Sequence, residues 1–162
     1  SVNTRREGLD KDNKDEVYYL DTALHKFQEE VYNSKVDIDV GFFINNHYAI
    51  YLVVADDGSY VGFSAFIVNY YFTLREPTIG NSYLYVERGY RRSVAMHLIS
   101  IQAGRLCKMF GFPLEQYMAD GSSSEKFVGR MNGKKVYTTY EFGLDEVNKE
   151  ALRLESKLSL KD

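Results

Sequence analysis

SYLYVERGYRRSVAMHLI, residues 82–99, is the stretch from which the rest of the chain is read. Ser82–Glu87 is dense in β-forming residues and reads as a strand. Arg88–Arg92 (RGYRR) is a basic loop. Ala95, Leu98 and Ile99 then open a helical stripe that continues through Ala103, Leu106 and Phe110. Gly111 ends that helix, and Pro113 cannot lie inside it. A strand thus runs through a basic loop straight into a helix N-terminus. That arrangement makes an anion site, because the N–H groups of a first helical turn converge and the helix dipole favours negative charge there. Arg91 and Arg92 add full positive charge, and the small Ser93 and Ala95 let a phosphate approach closely. The ordinary alternative is a solvated loop that merely starts a helix.

Upstream, HYAIYLVV (47–54) and YVGFSAFIV (60–68) flank Asp57-Gly58 and read as a β-hairpin. Val17, Leu20, Leu24, Phe27 and Val31 share one face of an earlier helix, with Asp12 or Asn13 as its cap and Asn33-Ser34 as its end. Residues 36–45 admit a short second helix. Pro77 and Gly80 read as loop punctuation. Residues 1–14 are polar and aperiodic and predict a flexible or extended arm. Downstream, PLEQYMA (113–119) predicts a short strand, and EKFVGRM a short helix after the serines. VYTTYEF (136–142) predicts a strand by its alternation. Val147, Ala151, Leu154 and Leu158 predict a C-terminal helix over about 145–158. No repeat or linker divides residues 15–162, which read as a single domain. Antiparallel strands followed by alternating helices and strands predict an α/β fold with a mixed sheet.

Composition bounds the function. The chain has 162 residues, 44% hydrophobic and 27% charged, with a formal net charge of -3. These proportions are those of a globular domain, and no apolar run reaches the roughly 18 residues of a spanning helix. Net acidity counts against a nucleic-acid partner held by phosphate contacts. Cys107 is the single cysteine, so no internal disulfide can form. No leader pattern is evident at the first residues, and a cytoplasmic protein is expected. His25, His47 and His97 do not fall at metal-ligand spacing with Cys107 or carboxylates, so no metal is expected. The aromatic content is unusual, with 14 Tyr, 10 Phe and no Trp.

The order of elements and several segments resemble the GNAT family of N-acetyltransferases. In that family a central strand ends in a pattern like V-x-P-x-x-R. A pyrophosphate loop of the form R/Q-x-x-G-x-G/A follows, and then a long helix. Here Val86-Glu87-Arg88-Gly89-Tyr90-Arg91 is followed by Arg92-Ser93-Val94-Ala95 and Leu98-Ile99. Val61-Gly62-Phe63 occupies the usual V-G-F place in the hairpin. SSEKFVGRMNGKKVYTTYEF resembles the family's last helix, turn and strand. The resemblance covers roughly residues 47–142. It implies a three-layer fold with a central mixed, mostly antiparallel sheet flanked by helices. It also implies acetyl-CoA as cofactor and direct attack of a primary amine on the thioester.

On that resemblance, Tyr85, Val86, Arg91, Arg92, Ser93, Val94, Ala95, Met96 and Ser124 would hold coenzyme A. A main-chain N–H near Tyr85 and Val86 would polarise the thioester carbonyl. Glu87 or Asp120 would accept the amine proton. Ser123 joins the catalytic set, although the serines are equally N-caps for the helix that follows. Asp37, Asp39, Tyr48, Tyr70, Tyr71 and Glu76 would suit a cationic acceptor, either a small amine or a lysine or N-terminus of a protein. The departures are specific. The loop is one residue short of the family's pattern, and no glycine lies between Gly89 and the helix. Four residues before Gly133, where many members carry the Tyr that protonates the departing thiolate, this chain has Gly129. The alternative is therefore a catalytically degraded GNAT-fold binding protein. Its partner would be another protein or a second copy of the chain, held through the 145–158 helix. A nucleobase-modifying relative is a third reading, and the net acidity opposes it.

Overall fold

The computed structural model describes residues 2–4, 8–70, 74–92, 94–119, 121–130 and 133–158. They form two compact units, Ser1–Lys126 and Phe127–Asp162. The first contains a five-stranded sheet in the order β1-β2-β3-β4-β5. Its strands are β1 (Val2–Thr4), β2 (Ala49–Ala55), β3 (Tyr60–Asn69), β4 (Thr78–Val86) and β5 (Leu114–Gln116). The first four pair antiparallel in sequence, and β4 pairs with β5 in parallel. The parallel step needs a crossover, which α3 (Ala95–Phe110) supplies.

Two helices cover one face of the sheet. α1 (Lys14–Tyr32) starts where Asn13 accepts from the N–H groups of Asp15 and Glu16. It stops at Asn33, whose left-handed backbone turns its N–H back onto Gln28 and Glu29. Leu20, Ala23 and Leu24 of α1 bury against Ile50 and Leu52 of β2 and against Phe63, Ala65 and Tyr85. α2 (Val40–Asn45), capped by Asp39, adds Phe43 and Ile44 to this cluster. α3 covers the other face. Ala95 and Ile99 pack on Val53, Val61 and Val86, and Ala103 and Leu106 pack on Phe66 and Ile79. This is the α/β three-layer arrangement with a mixed, mostly antiparallel sheet. Among the described residues, no helix is long and apolar enough to cross a membrane.

Two bulges shift the sheet's alternation. Val53 pairs with Gly62 and Val54 with Tyr60, which leaves Val61 as the extra residue. Ala65 pairs with Tyr83 and Phe66 with Asn81, which leaves Ser82 as the extra residue of β4. Beyond each bulge the faces exchange.

Two expectations need correction. Gly80 does not punctuate a loop with Pro77, because Thr78–Asn81 is the first half of β4. Gly80 is a site of close approach inside the strand. A Cβ there would lie 2.9 Å from Tyr117 Oη and 3.0 Å from Asn69 Nδ2. Residues 136–142 alternate as a strand should, yet residues 133–143 are neither helix nor strand. Alternation marks a face, but a strand also needs a neighbour for its N–H and C=O groups. The described sheet ends at β5. In the second unit α5 (Leu144–Leu158) forms, and Val147, Leu154 and Leu158 of its apolar stripe are exposed.

Candidate functional site

The site is built around β4, whose two halves have different surroundings. Over Ile79–Asn81 it pairs with β3 on one side and β5 on the other. The β5 ladder closes with Asn81 opposite Gln116, and Tyr117 N–H donates to Asn81 O at 3.3 Å. β4 then continues from Ser82 to Val86 with β3 as its one strand partner among the described residues. Glu87 N–H donates to Val61 O at 2.8 Å, so the alternate residues Leu84 and Val86 turn their N–H and C=O groups to the opposite edge. That edge is a short rail on which the Leu84 N–H and C=O and the Val86 N–H turn outward, while the Val86 C=O accepts from Arg91 Nε.

At the far end of the rail, Glu87 leads into a 3-10 turn, Arg88–Tyr90, and then into α3. At the start of α3, Leu98 N–H donates to Val94 O at 3.0 Å, and the N-cap residue Val94 makes no side-chain capping bond. Val94 is the half-exposed N-cap residue, Ala95 is buried, and Met96 is partly buried on the Val53–Val86 cluster. The backbone of Val86 and the start of α3 thus stand at one end of this rail. Ser93 and Asp120 lie outside the described residues, as does Tyr71.

The two arginines do different things. Arg91 donates from Nε to Val86 O at 2.7 Å and forms a two-pronged pair with Glu30 of α1, at 2.5 and 2.7 Å. Its guanidinium also lies 5.6 Å from the centre of the Tyr85 ring. These bonds hold the Glu30 carboxyl below its ordinary range, chiefly by hydrogen bonding from Arg91. Arg91 therefore ties the loop to α1, and its charge is spent there. Arg92 is exposed and has no ion pair among the described residues.

Glu87 turns its carboxylate toward the α1 face. Oε1 accepts from Tyr19 Oη at 3.2 Å and from Lys26 Nζ at 3.0 Å, and Oε2 accepts from Tyr85 Oη at 3.2 Å. Burial and the adjacent carboxylate push the Tyr85 phenol up to about 12 and the Tyr19 phenol higher still. Glu87 is an acceptor for three donors.

Next to the end of the β4–β5 ladder stand two residues that linear spacing did not join. His47 Nε2 lies 2.8 Å from Ser82 Oγ. His47 Nδ1 lies 2.7 Å from Phe43 O. A carbonyl can only accept, so the proton is on Nδ1, and in the neutral ring Nε2 accepts from Ser82. Burial lowers the pKa of His47 and favours that neutral form. The imidazole stacks on Phe43 at 4.2 Å and meets Tyr83 edge-on at 5.9 Å. Ser82 opens the stretch from which the fold was read, but nothing in the sequence ties it to His47.

Ser122, rather than its neighbours, caps α4 (Ser123–Arg130): it accepts from Glu125 N–H at 3.2 Å, and Glu125 reaches back to Gly121 N–H at 2.8 Å. The Ser123 and Ser124 side chains lie outside the described set. The tyrosines gather in two places, and the described ones expected to suit an acceptor, Tyr48 and Tyr70, share the first. Tyr48 and Tyr70 sit edge-on to Phe110 and Phe112. Tyr19, Tyr60, Tyr83 and Tyr85 gather on the α1 face instead.

No family model matches this sequence, and no curated protein does. Solved structures do match. The complex of AAC(6')-Iy with the bisubstrate analogue CoA-S-monomethyl-acetylneamine superposes with a TM-score of 0.66 at 12% identity, over 88% of this chain and 97% of that one. A GNAT-family acetyltransferase of Staphylococcus aureus Mu50 gives 0.65 at 16% identity, over 88% and 90%. A tetramutant of the BH1408 protein of Bacillus halodurans gives 0.67 at 15% identity, over 87% and 99%. At these identities the likeness is one of fold. The chain folds as the GNAT acetyltransferases do.

Proposed function

We propose that this chain is an acetyl-CoA-dependent N-acetyltransferase acting on a primary amine. The observation that carries the reading is the end of the β4–β5 ladder at Asn81 and Gln116, with β4 running on alone to Val86. The rail at Leu84 and Val86 suits the amide-bearing pantetheine arm, which would bond to it as a strand does. The start of α3, with exposed Arg92 beside it, suits the pyrophosphate. Val94, Ala95 and Met96 would line that end. When bound, acetyl-CoA would supply the activated acyl group. A main-chain N–H of the open edge would polarise its carbonyl.

Arg91 takes a positioning role in this scheme. Its bonds to Glu30 and Val86 O hold the loop in place, and Arg92 is left to meet the anion. Glu87 orients Tyr85 and Lys26 at the strand's end. The structural neighbour bound to an acetylneamine conjugate supports an aminoglycoside-like polyamine as the first acceptor to try. The working compartment proposed is the cytoplasm, where acetyl-CoA is available.

A second reading is favoured by one feature, Gly129 in the place of the family's acid Tyr. It is a protein that binds coenzyme A without turnover. Calorimetry with acetyl-CoA, followed by thiol release across a panel of amines that includes neamine, separates the two. Binding with thiol release is the expected result. Binding without release establishes the second reading, and no binding at millimolar ligand overturns both.

A further inference from the structure

His47 and Ser82 are 35 positions apart in sequence and meet at the point where β4 leaves β5. Both are partly buried. Ser82 is the extra residue of the β4 bulge, and it follows directly on the last residue of the β5 ladder. From Val86 back to Ser82 is four residues, about 13 Å of extended chain. An extended pantetheine arm starting from a pyrophosphate beyond Val86 is of similar length. Its thioester would therefore reach the level of Ser82. Glu87 lies at the other end of the rail, next to the loop, with its oxygens already taken by Tyr19, Lys26 and Tyr85.

We propose that Ser82 and His47 are the proton relay of the acyl transfer, with Ser82 Oγ toward the acceptor nitrogen and His47 Nε2 behind it. The proposal rests on the transferase reading above. As the amine nitrogen bonds to the carbonyl carbon, its proton passes to Ser82 Oγ, and the hydroxyl proton of Ser82 passes to His47 Nε2. The C–S bond then breaks. The thiolate leaves with the electron pair and is protonated by the same route in reverse, which returns His47 to its neutral form. No oxidant, metal or further reactant enters. The Nδ1–H bond to Phe43 O keeps Nε2 bare in the resting state. Ser82 Oγ also lies 3.3 Å from Ala65 O, an acceptor to which the hydroxyl can turn once its neighbour is protonated. Tyr83 is the titratable side chain that meets the imidazole ring among the described residues, and burial raises its phenol. It therefore brings no charge to His47 near neutral pH.

The test uses the full chain and has an arm that needs no substrate. Long-range nitrogen–proton NMR of the free protein should show His47 as the Nδ1–H tautomer, titrating below the ordinary value of 6.5. S82A should perturb the Nε2 resonance while the fold holds. An Nε2–H tautomer overturns the relay without touching the transferase reading. With acetyl-CoA and an amine that the wild type acetylates, H47Q and S82A should each lower kcat by roughly 10²–10⁴-fold while calorimetric affinity for acetyl-CoA stays within about threefold. The acid limb of the wild-type rate profile, which marks protonation of His47, should vanish in H47Q. If H47Q and S82A retain rate and acid limb in an active protein, the relay is wrong and the transferase reading stands. An acetyl group found on Ser82 by mass spectrometry replaces the relay with a covalent intermediate. If the wild type binds acetyl-CoA but releases no thiol, both proposals fall.

Discussion

The two halves of β4 contrast in what surrounds the same kind of backbone. Ile79–Asn81 is laddered on both sides, and a polar clip of Asn69, Thr78, Glu115 and Tyr117 is built across it. Ser82–Val86 is laddered on one side, and it is here that the open edge, the His47–Ser82 pair and the route to α3 are found. A strand satisfied on both edges is structure. The same strand satisfied on one edge has donors and acceptors left for a ligand, provided its other contacts hold it still. The bulge at Ser82 separates the two.

Glycine packing should give the largest difference between the halves. A Cβ on Gly62 would lie 2.6 Å from Tyr85 O and 3.2 Å from Val86 Cα, both backbone atoms of the open half. A Cβ on Gly80 would meet the side-chain tips of Tyr117 and Asn69, which can shift, and Cγ1 of Ile67. G62A should therefore destabilise by about 2–3 kcal/mol and G80A by about 1 kcal/mol, as overpacking generally costs. Denaturant melts of the two variants measure this, and equal costs would erase the contrast.

The junction comes next. Buried Asn81 donates to Ala65 O at 3.0 Å and to Tyr83 O at 3.2 Å, and so spans the bulge. N81A should cost about 1–2 kcal/mol for the two carbonyls left without this donor. It should also speed amide exchange more at Tyr83 than at Gly80, as hydrogen-exchange NMR would show.

Charge at the loop has a smaller effect. R92E should weaken acetyl-CoA about tenfold, the equivalent of about 1.4 kcal/mol, with an unchanged melting temperature. The Glu30–Arg91 pair is partly exposed and should contribute no more than about 1 kcal/mol of stability. The Glu30 carboxyl is held below its ordinary 4.5. Its contribution is thus complete above about that pH and is lost as pH falls through the lowered value. E30Q should remove that acid-side loss from the pH dependence of stability.

The smallest effect is alkaline. Tyr85 ionises at about 12 in the folded chain against 10.0 for a free phenol. Between these values the unfolded chain loses a proton that the folded chain keeps, so stability falls as pH rises through that window. E87Q removes the carboxylate that adds to burial there. It should move the late phenolate absorbance step toward lower pH.

Much of the first unit was legible in the sequence. The stripe from Val17 to Val31 became α1, with Asn13 and Asn33 as its ends. Asp57-Gly58 joined β2 to β3, and the run from Ala95 to Phe110 became α3. These features follow from local rules, in which a period of 3.6, a capping side chain or a turn glycine acts over a few residues. Gly80 misled because a glycine in a turn and a glycine under a crowded strand look alike in sequence. VYTTYEF misled because alternation says nothing about whether a partner strand exists. The candidate site was half legible. The open end of β4 and the start of α3 lie in one continuous stretch, but Arg91 read as a ligand contact when its partner was Glu30, 61 positions away.

The sequence by itself determined the order of elements and the strand–loop–helix that runs from β4 into α3. It did so because those properties are periodic and short-ranged. Tertiary structure decided which polar groups meet. It set the end of the β5 ladder at Gln116, spent Arg91 on Glu30, gave Glu87 its three donors and brought His47 to Ser82. Such pairings depend on how two elements cross a sheet face and on which residue a bulge turns outward. Residue spacing along the chain does not record either one.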